Sequence, residues 1–178
     1  MVYIFLANGF EDIEAVAPFD ILQRAGLKVK TVGVGGKNIK SAHGLSVIAD
    51  MEERDFTFSD IDAIIFPGGM PGATNLKKSI VVEKAVKSAL NSNILIGAIC
   101  AAPGVVLNGT GALDDKRYTC FPGFEVEEGN YTAAKVEHDG NLITANGPGA
   151  AADFAVEIAD ALCKNGSIDS LKRDFWLK

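Results

Sequence analysis

At 178 residues the chain is the size of one domain and long enough to bury a substantial core. Apolar residues make up 48% and charged residues 22%, which excludes a disordered or fibrous chain. The net charge of -6, from 23 acidic residues against 17 scattered basic ones, argues against nucleic acid as a partner.

The first apolar run, Val2 to Leu6, reads as a strand that ends in Ala7-Asn8-Gly9. Glu11 to Ala25 then carries apolar residues at helical spacing and stops at Gly26, with Pro18 marking a kink. Leu27 to Val34 is a Val-rich strand. Gly35-Gly36-Lys37-Asn38 turns the chain, and Leu45 to Ala49 completes a hairpin excursion. Ala63 to Phe66 is a short buried strand followed by the loop Pro67-Gly68-Gly69-Met70-Pro71-Gly72 and a helix around Val82 to Leu90. Ile94 to Ile99 is a second buried strand, and a helix runs through Val105 to Leu107 after Pro103. Tyr118 to Ala134 is the least regular stretch. Lys135 to Ala145 reads as a hairpin turning at His138-Asp139-Gly140-Asn141, Ala150 to Lys164 as an alanine-rich amphipathic helix, and Ile168 to Trp176 as a last helix. Buried strands alternating with helices predict an α/β fold with a doubly wound, mostly parallel sheet, in which sites form at the carboxyl ends of strands.

No apolar run reaches the roughly 18 to 20 residues of a membrane span, and Met1 leads into a strand without a basic leader or cleavage site. The expectation is a cytoplasmic protein with no membrane partner. Three widely spaced cysteines, Cys100, Cys120 and Cys163, fit neither a disulfide framework nor a CxxC motif. With His43 and His138 the only histidines, no metal site is expected. Gly68-Gly69 lacks the Lys-Ser/Thr of a phosphate loop, and no helix follows Gly33 to Gly36 as a dinucleotide site requires, so no cofactor is expected.

Ile99-Cys100-Ala101-Ala102-Pro103 places a cysteine where a buried strand turns into a helix, among residues small enough for close backbone contacts. The N-H groups and positive end of the following helix favour a negative charge there, which predicts a lowered pKa and a thiolate at neutral pH. The alternative is a small buried hydrophobe. On the first helix Ile13, Ala17 and Ile21 mark one face, and Glu14 falls about 20° from Ile21 at its edge. A carboxyl pressed toward the core stays protonated and can donate to a thiolate. The competing reading has Glu11, Asp12 and Glu14 facing solvent at the helix N-terminus. The Gly69 and Ala101 N-H groups could together bind an oxyanion.

At these residues the chain resembles the ThiJ/PfpI superfamily, within it the DJ-one (Parkinson's-disease-associated protein deglycase) branch. The resemblance runs through Gly9-Phe10-Glu11-Asp12-Ile13-Glu14, Pro67-Gly68-Gly69, Ala98-Ile99-Cys100-Ala101-Ala102-Pro103 and Asn146-Gly147-Pro148-Gly149. It implies a single domain over residues 1–178 of the class I glutamine amidotransferase-like type, a flavodoxin-like fold and a homodimer. It also implies that Cys100 is the reactive cysteine, Glu14 its protonated partner, and Gly69 and Ala101 the backbone donors. The activity implied is cofactor-independent glyoxalase or deglycase chemistry on methylglyoxal-like carbonyls. The family is also linked to oxidation of the cysteine and to chaperone behaviour, so an oxidation-sensing thiol protein is the alternative. Protease relatives carry histidine directly after the nucleophile, where this chain has Ala101, which lowers the peptidase reading and leaves small-ester or amide hydrolysis as a weaker one. Relatives that bring a histidine to the cysteine do so from the segment reading Gly129-Asn130-Tyr131 here, and Asn130 cannot act as a base. Gly68, Cys120 and Asn130 are the remaining pocket candidates. His43 is expected at solvent or the dimer interface, His138 in a surface turn, and Cys163 in the core.

Overall fold

The structure is a computed structural model that describes residues 1–163, 171–173 and 175. In chain order it forms β1 (Val2–Ala7), α1 (Asp12–Arg24), β2 (Val29–Val34), β3 (Asn38–Lys40), β4 (Ser46–Ile48), β5 (Met51–Glu52), β6 (Ala63–Phe66), α2 (Gly72–Lys77), α3 (Ile80–Asn91) and β7 (Leu95–Ile99). A π-type helical turn (Pro103–Leu107), β8 (Arg117–Tyr118), β9 (Asn130–Tyr131), β10 (Val136–Asp139), β11 (Leu142–Ala145) and α4 (Ala151–Leu162) follow.

Seven strands form one sheet in the order β10-β11-β7-β6-β1-β2-β5. Every neighbouring pair is parallel except β10 with β11, an antiparallel hairpin at the edge. The central strands β1, β6, β7 and β11 are buried along their whole length. They lie between two apolar layers, which is why they read as continuous Val, Ile, Leu and Phe runs without alternation. On one face Ile21, Leu22, Phe154 and Ile158 of α1 and α4 pack against Ile4, Ile65 and Ile99. On the other, Leu76, Val82 and Val86 of α2 and α3 pack against Phe5, Ile64 and Ile96. Gly97 in β7 makes the first layer possible: a Cβ there would lie 3.0 Å from both Ile158 Cδ1 and Phe154 Cζ.

The chain adds β2 on one side of β1 and then crosses to lay β6 on the other. The reversal between β1 and β6 is the topological switch point, the place where open α/β sheets build their sites. Register keeps the exits together: Phe66 pairs with Ala98, and Ile99 with Ala145, so the loops after β6, β7 and β11 leave from one edge.

The excursion after β2 is the expected hairpin, β3 against β4. α1 runs through Pro18, as expected. Two details differ from the sequence reading. The apolar face of α1 is Ala15, Pro18, Ile21 and Leu22, whereas Ile13 is 49% exposed. α2 and β5 are too short, at six and two residues, to leave a periodic signal. The Ile168 to Trp176 helix falls largely outside the described residues, of which Leu171, Lys172 and Arg173 are helical.

Candidate active site

Cys100 directly follows β7 and has φ +64°, a left-handed conformation that costs a non-glycine residue of order 1–3 kcal/mol. Two backbone hydrogen bonds hold it there. Its N-H donates to Ala145 O at 2.8 Å, and its carbonyl accepts from Phe121 N at 2.8 Å. The chain must turn sharply at this point, which is the strain of a nucleophile elbow, and Cys100 is left only partly buried at the carboxyl edge of the sheet.

Glu14 comes from the first turn of α1 and is completely buried. It lies on the same stripe as Pro18 and Ile21, four and seven residues on, so the helix presses the carboxyl into the protein and away from solvent. The solvent-facing reading of Glu14 is thereby excluded. Gly68 N-H donates to its Oε2 at 2.8 Å, and Oε1 is buried without a hydrogen-bond partner. The Gly68 backbone brings the carboxyl, the cysteine and the Ala101 N-H together at one point. The electrostatics of both groups depend on this closeness, with the Gly69 and Ala101 N-H groups pulling the thiol pKa down.

The two glycines have steric reasons. A Cβ on Gly68 would sit 2.7 Å from Cys100 Cβ and 2.9 Å from Glu14 Oε2. Gly69 has φ +83°, and a Cβ there would meet Glu11 N at 2.4 Å. Both are the price of bringing the loop after β6 against α1 and the elbow at once.

Electrostatics correct one expectation. Instead of a lowered thiol pKa, burial and then the adjacent Glu14 carboxylate push Cys100 up to about 12, against the opposing pull of the Ala101 and Gly69 N-H groups. The helical segment expected to stabilise a thiolate is a single five-residue turn, so its dipole is small and desolvation wins. Burial likewise raises Glu14 from 4.5 to about 7. The two groups titrate as a pair that loses its first proton near neutrality and strongly resists losing the second. Glu14 is the more acidic of the two, so above neutrality the resting pair is a carboxylate beside a protonated thiol, with Glu14 placed to take the thiol's proton.

The other candidates divide clearly. Cys120 is fully buried and belongs to the core beside Tyr118, with burial raising its pKa to about 11. Asn130 is exposed on β9, its N-H bound to Lys116 O, and neither Cys100 nor Glu14 is among its partners. It is not brought into the site. Cys163 is half-buried at the end of α4, its thiol 3.7 Å from Ala25 O. His43 is exposed and bonds Asp12 Oδ2 at 3.1 Å, and His138 bridges Glu157 Oε1 and Gly140 O. Both histidines of the chain therefore stand away from the thiol. Glu11, Asp12 and His43 bring three ligand-type atoms within 4.8 Å of one another, a grouping accounted for by the Asp12 bonds to Ser41 and His43.

Sequence reading missed Phe121. Its N-H holds the Cys100 carbonyl and its ring lies over Gly147, where a Cβ would be 3.1 Å from Phe121 Cδ2. The signal was Phe121-Pro122-Gly123-Phe124, a turn sequence inside the stretch that lacked any periodicity.

The family model described as DJ-1/PfpI matches residues 1–161. The chain belongs to the DJ-1/PfpI family. DJ-1 homolog B of Arabidopsis thaliana is 36% identical over 165 residues, 90% of this chain and 38% of that protein. The chain thus spans well under half the length of this relative, and 46% of Arabidopsis DJ-1 homolog A. A Caenorhabditis elegans relative named glutathione-independent glyoxalase DJR-1.2 is 35% identical over 156 residues, covering 85% of this chain and 82% of that one. The crystal structure of Drosophila melanogaster DJ-1beta superposes with a TM-score of 0.94 at 31% identity, over 99% of this chain and 97% of the other. The DJ-1/PfpI fold is the flavodoxin-like sheet described above, and among the described residues no helix is long and apolar enough to cross a membrane.

Proposed function

We propose that the protein is a cofactor-independent glyoxalase or deglycase that uses Cys100 as nucleophile and Glu14 as proton shuttle on methylglyoxal-like carbonyls. The observation that supports it is the fully buried Glu14 carboxyl packed with the Gly68 backbone against a partly buried Cys100 held on a left-handed elbow. The glyoxalase name of the Caenorhabditis relative points the same way.

The chemistry follows from the pair. The Glu14 carboxylate takes the Cys100 proton as the sulfur adds to the aldehyde carbon of the oxoaldehyde. The carbonyl electron pair moves onto oxygen, which the two amides stabilise and Glu14 protonates, giving a hemithioacetal. Glu14, now a carboxylate, takes the hydrogen from the former aldehyde carbon and returns it to the neighbouring carbon, while the hydroxyl proton passes between the two oxygens. The product is a 2-hydroxyacyl thioester, which water hydrolyses to the hydroxy acid and the free thiol. Overall one oxoaldehyde and one water give one hydroxy acid, with no external oxidant or reductant. A raised carboxyl pKa near 7 suits a group that must give and take a proton in one cycle. The test is lactate formation from methylglyoxal by the purified protein, with Cys100→Ser lowering it at least ~100-fold, the scale of losing a nucleophile. Equal turnover by the variant removes the reading.

A second reading is favoured by the difference in exposure between Cys100 and Cys120: a redox-responsive, protective thiol oxidised to sulfenic and sulfinic acid, with Glu14 hydrogen-bonding the product. Mild peroxide should add oxygen at Cys100 before Cys120 or Cys163, followed by mass spectrometry of peptides. Ester or amide hydrolysis is weakest, since neither histidine reaches the thiol.

We further propose a homodimer. Val16 on α1 and Ile48 on the β3–β4 hairpin, both exposed, line one apolar groove with Phe19 and Val47, and the same two elements also leave Ile13 and Leu45 exposed.

A further inference from the structure

The strand edge that carries Cys100 has an apolar side that the proton-transfer pair does not use. Glu14 approaches the cysteine from α1, and Gly68 and Gly69 from the loop after β6. From the β11 side it is approached by the turn Phe121-Pro122-Gly123-Phe124, which presents an aromatic ring at each end. Phe124 N-H donates to Phe121 O at 3.1 Å, Pro122 fills the second position, and Gly123 in the third has φ +93°, the pattern of a type II turn.

The turn is fastened at both ends to the elbow. Phe121 N-H bonds the Cys100 carbonyl, and the Phe124 carbonyl packs so closely on Gly104, in the helical turn after Cys100, that a Cβ there would lie 1.8 Å from the oxygen. The rings meet edge to face, centroids 6.4 Å apart at 67°. Phe121 remains 43% exposed while lying over Gly147, at the exit of the strand whose Ala145 carbonyl holds Cys100 N-H. A large aromatic ring left open to solvent on a rigid turn, bonded through its own backbone to the nucleophile's carbonyl, is placed to receive an apolar group attached to whatever the sulfur attacks.

We infer that Phe121, backed by Phe124, is the specificity-determining subsite for the carbon substituent of the substrate, and that the enzyme prefers oxoaldehydes bearing an aryl or bulky apolar group over methylglyoxal. The turnover part rests on the glyoxalase reading; the selectivity of the sulfur for apolar groups does not. Reacting atoms and proton transfers are those already given, and only the substituent on the ketone carbon changes, so phenylglyoxal and water give mandelate.

Two measurements on the intact protein decide the matter. Wild-type kcat/KM for phenylglyoxal should exceed that for methylglyoxal about tenfold, and Phe121→Ala should bring the ratio near one, with Phe121→Leu between, a difference of the size one aromatic contact supplies. Because both substrates are read on the same protein, a partly unfolded variant leaves the ratio untouched. Independently of turnover, benzyl methanethiosulfonate should label Cys100 faster than methyl methanethiosulfonate, relative to their rates on a free thiol, with that preference lost in Phe121→Ala. Each reagent transfers its alkylthio group to the thiolate, forming a mixed disulfide and releasing methanesulfinate. An absent labelling preference in the wild type, or one unchanged by Phe121→Ala, overturns the subsite. Preserved labelling selectivity in a protein that turns over neither oxoaldehyde keeps the subsite and sinks the glyoxalase reading instead.

Discussion

Glu14 illustrates how one side chain can set both the stability and the chemistry of the molecule. Its carboxyl is held at about 7 when folded against 4.5 when free. Between those values the folded state holds a proton that the unfolded chain has lost, so stability falls as pH rises from about 4.5 to 7. The contribution is complete below the lower value and gone above the upper one, on the order of 3 kcal/mol at most. Glu14→Gln removes the titration, and thermal unfolding between pH 5 and 8 should show a flatter profile than the wild type. The same variant should abolish proton shuttling and lower kcat while leaving Cys100 able to react with alkylating reagents. Cys100 shows the converse. Its identity and position are plain in Ile99-Cys100-Ala101-Ala102-Pro103, but its protonation depends on burial and on a carboxyl 86 positions earlier, neither of which a local sequence contains.

At the scale of elements, the site is an agreement between three chain exits. The loop after β6 must pass between α1 and the elbow, and Gly69 is where it comes nearest: backbone atoms of Glu11 and Gly9 lie 2.4 and 2.7 Å from the place a Cβ would take. Since φ is also +83°, Gly69→Ala combines strain with a backbone clash that no rotamer relieves. The expected outcome is a loss of ~2–4 kcal/mol in denaturant unfolding, together with a loss of activity larger than partial unfolding explains. Gly68-Gly69 was visible as a turn signal after a strand. What it approaches was not, because the partners of Gly69 lie in the loop leading into α1, nearly sixty residues earlier. Asn130 fails in the opposite direction, since its segment resembles one that reaches the cysteine in relatives, yet β9 pairs with β8 and stays at the surface.

For the whole molecule, α1 and the β3–β4 hairpin both leave large apolar side chains exposed, Ile13 and Val16 on one and Leu45 and Ile48 on the other, on the outer side of the same helix whose inner side carries Glu14. A dimer through this face would clamp α1 and so steady the carboxyl beside the sulfur. Sedimentation at micromolar concentration should show two copies for the wild type and one for the double variant Val16→Glu, Ile48→Lys, with the far-ultraviolet spectrum retained. A wild type that sediments as a monomer rejects the assembly.

The linear sequence by itself determined the order of strands and helices, the doubly wound class, and Cys100 on its elbow. Each of these rests on local signals, continuous apolar runs for doubly covered strands and small residues where the backbone must turn. It also carried the family resemblance, which the comparisons with known proteins upheld. Only the tertiary structure decided which face of α1 is buried. Ile13 reads as part of the apolar face but is exposed, and Glu14, for which the sequence left both a core-edge and a solvent-facing reading, is fully enclosed. Helical periodicity specifies which residues share a face, not what that face will meet. The meeting of Glu14, Gly69, Phe121 and Cys100 follows from sheet order and register, which place the ends of distant segments at one edge.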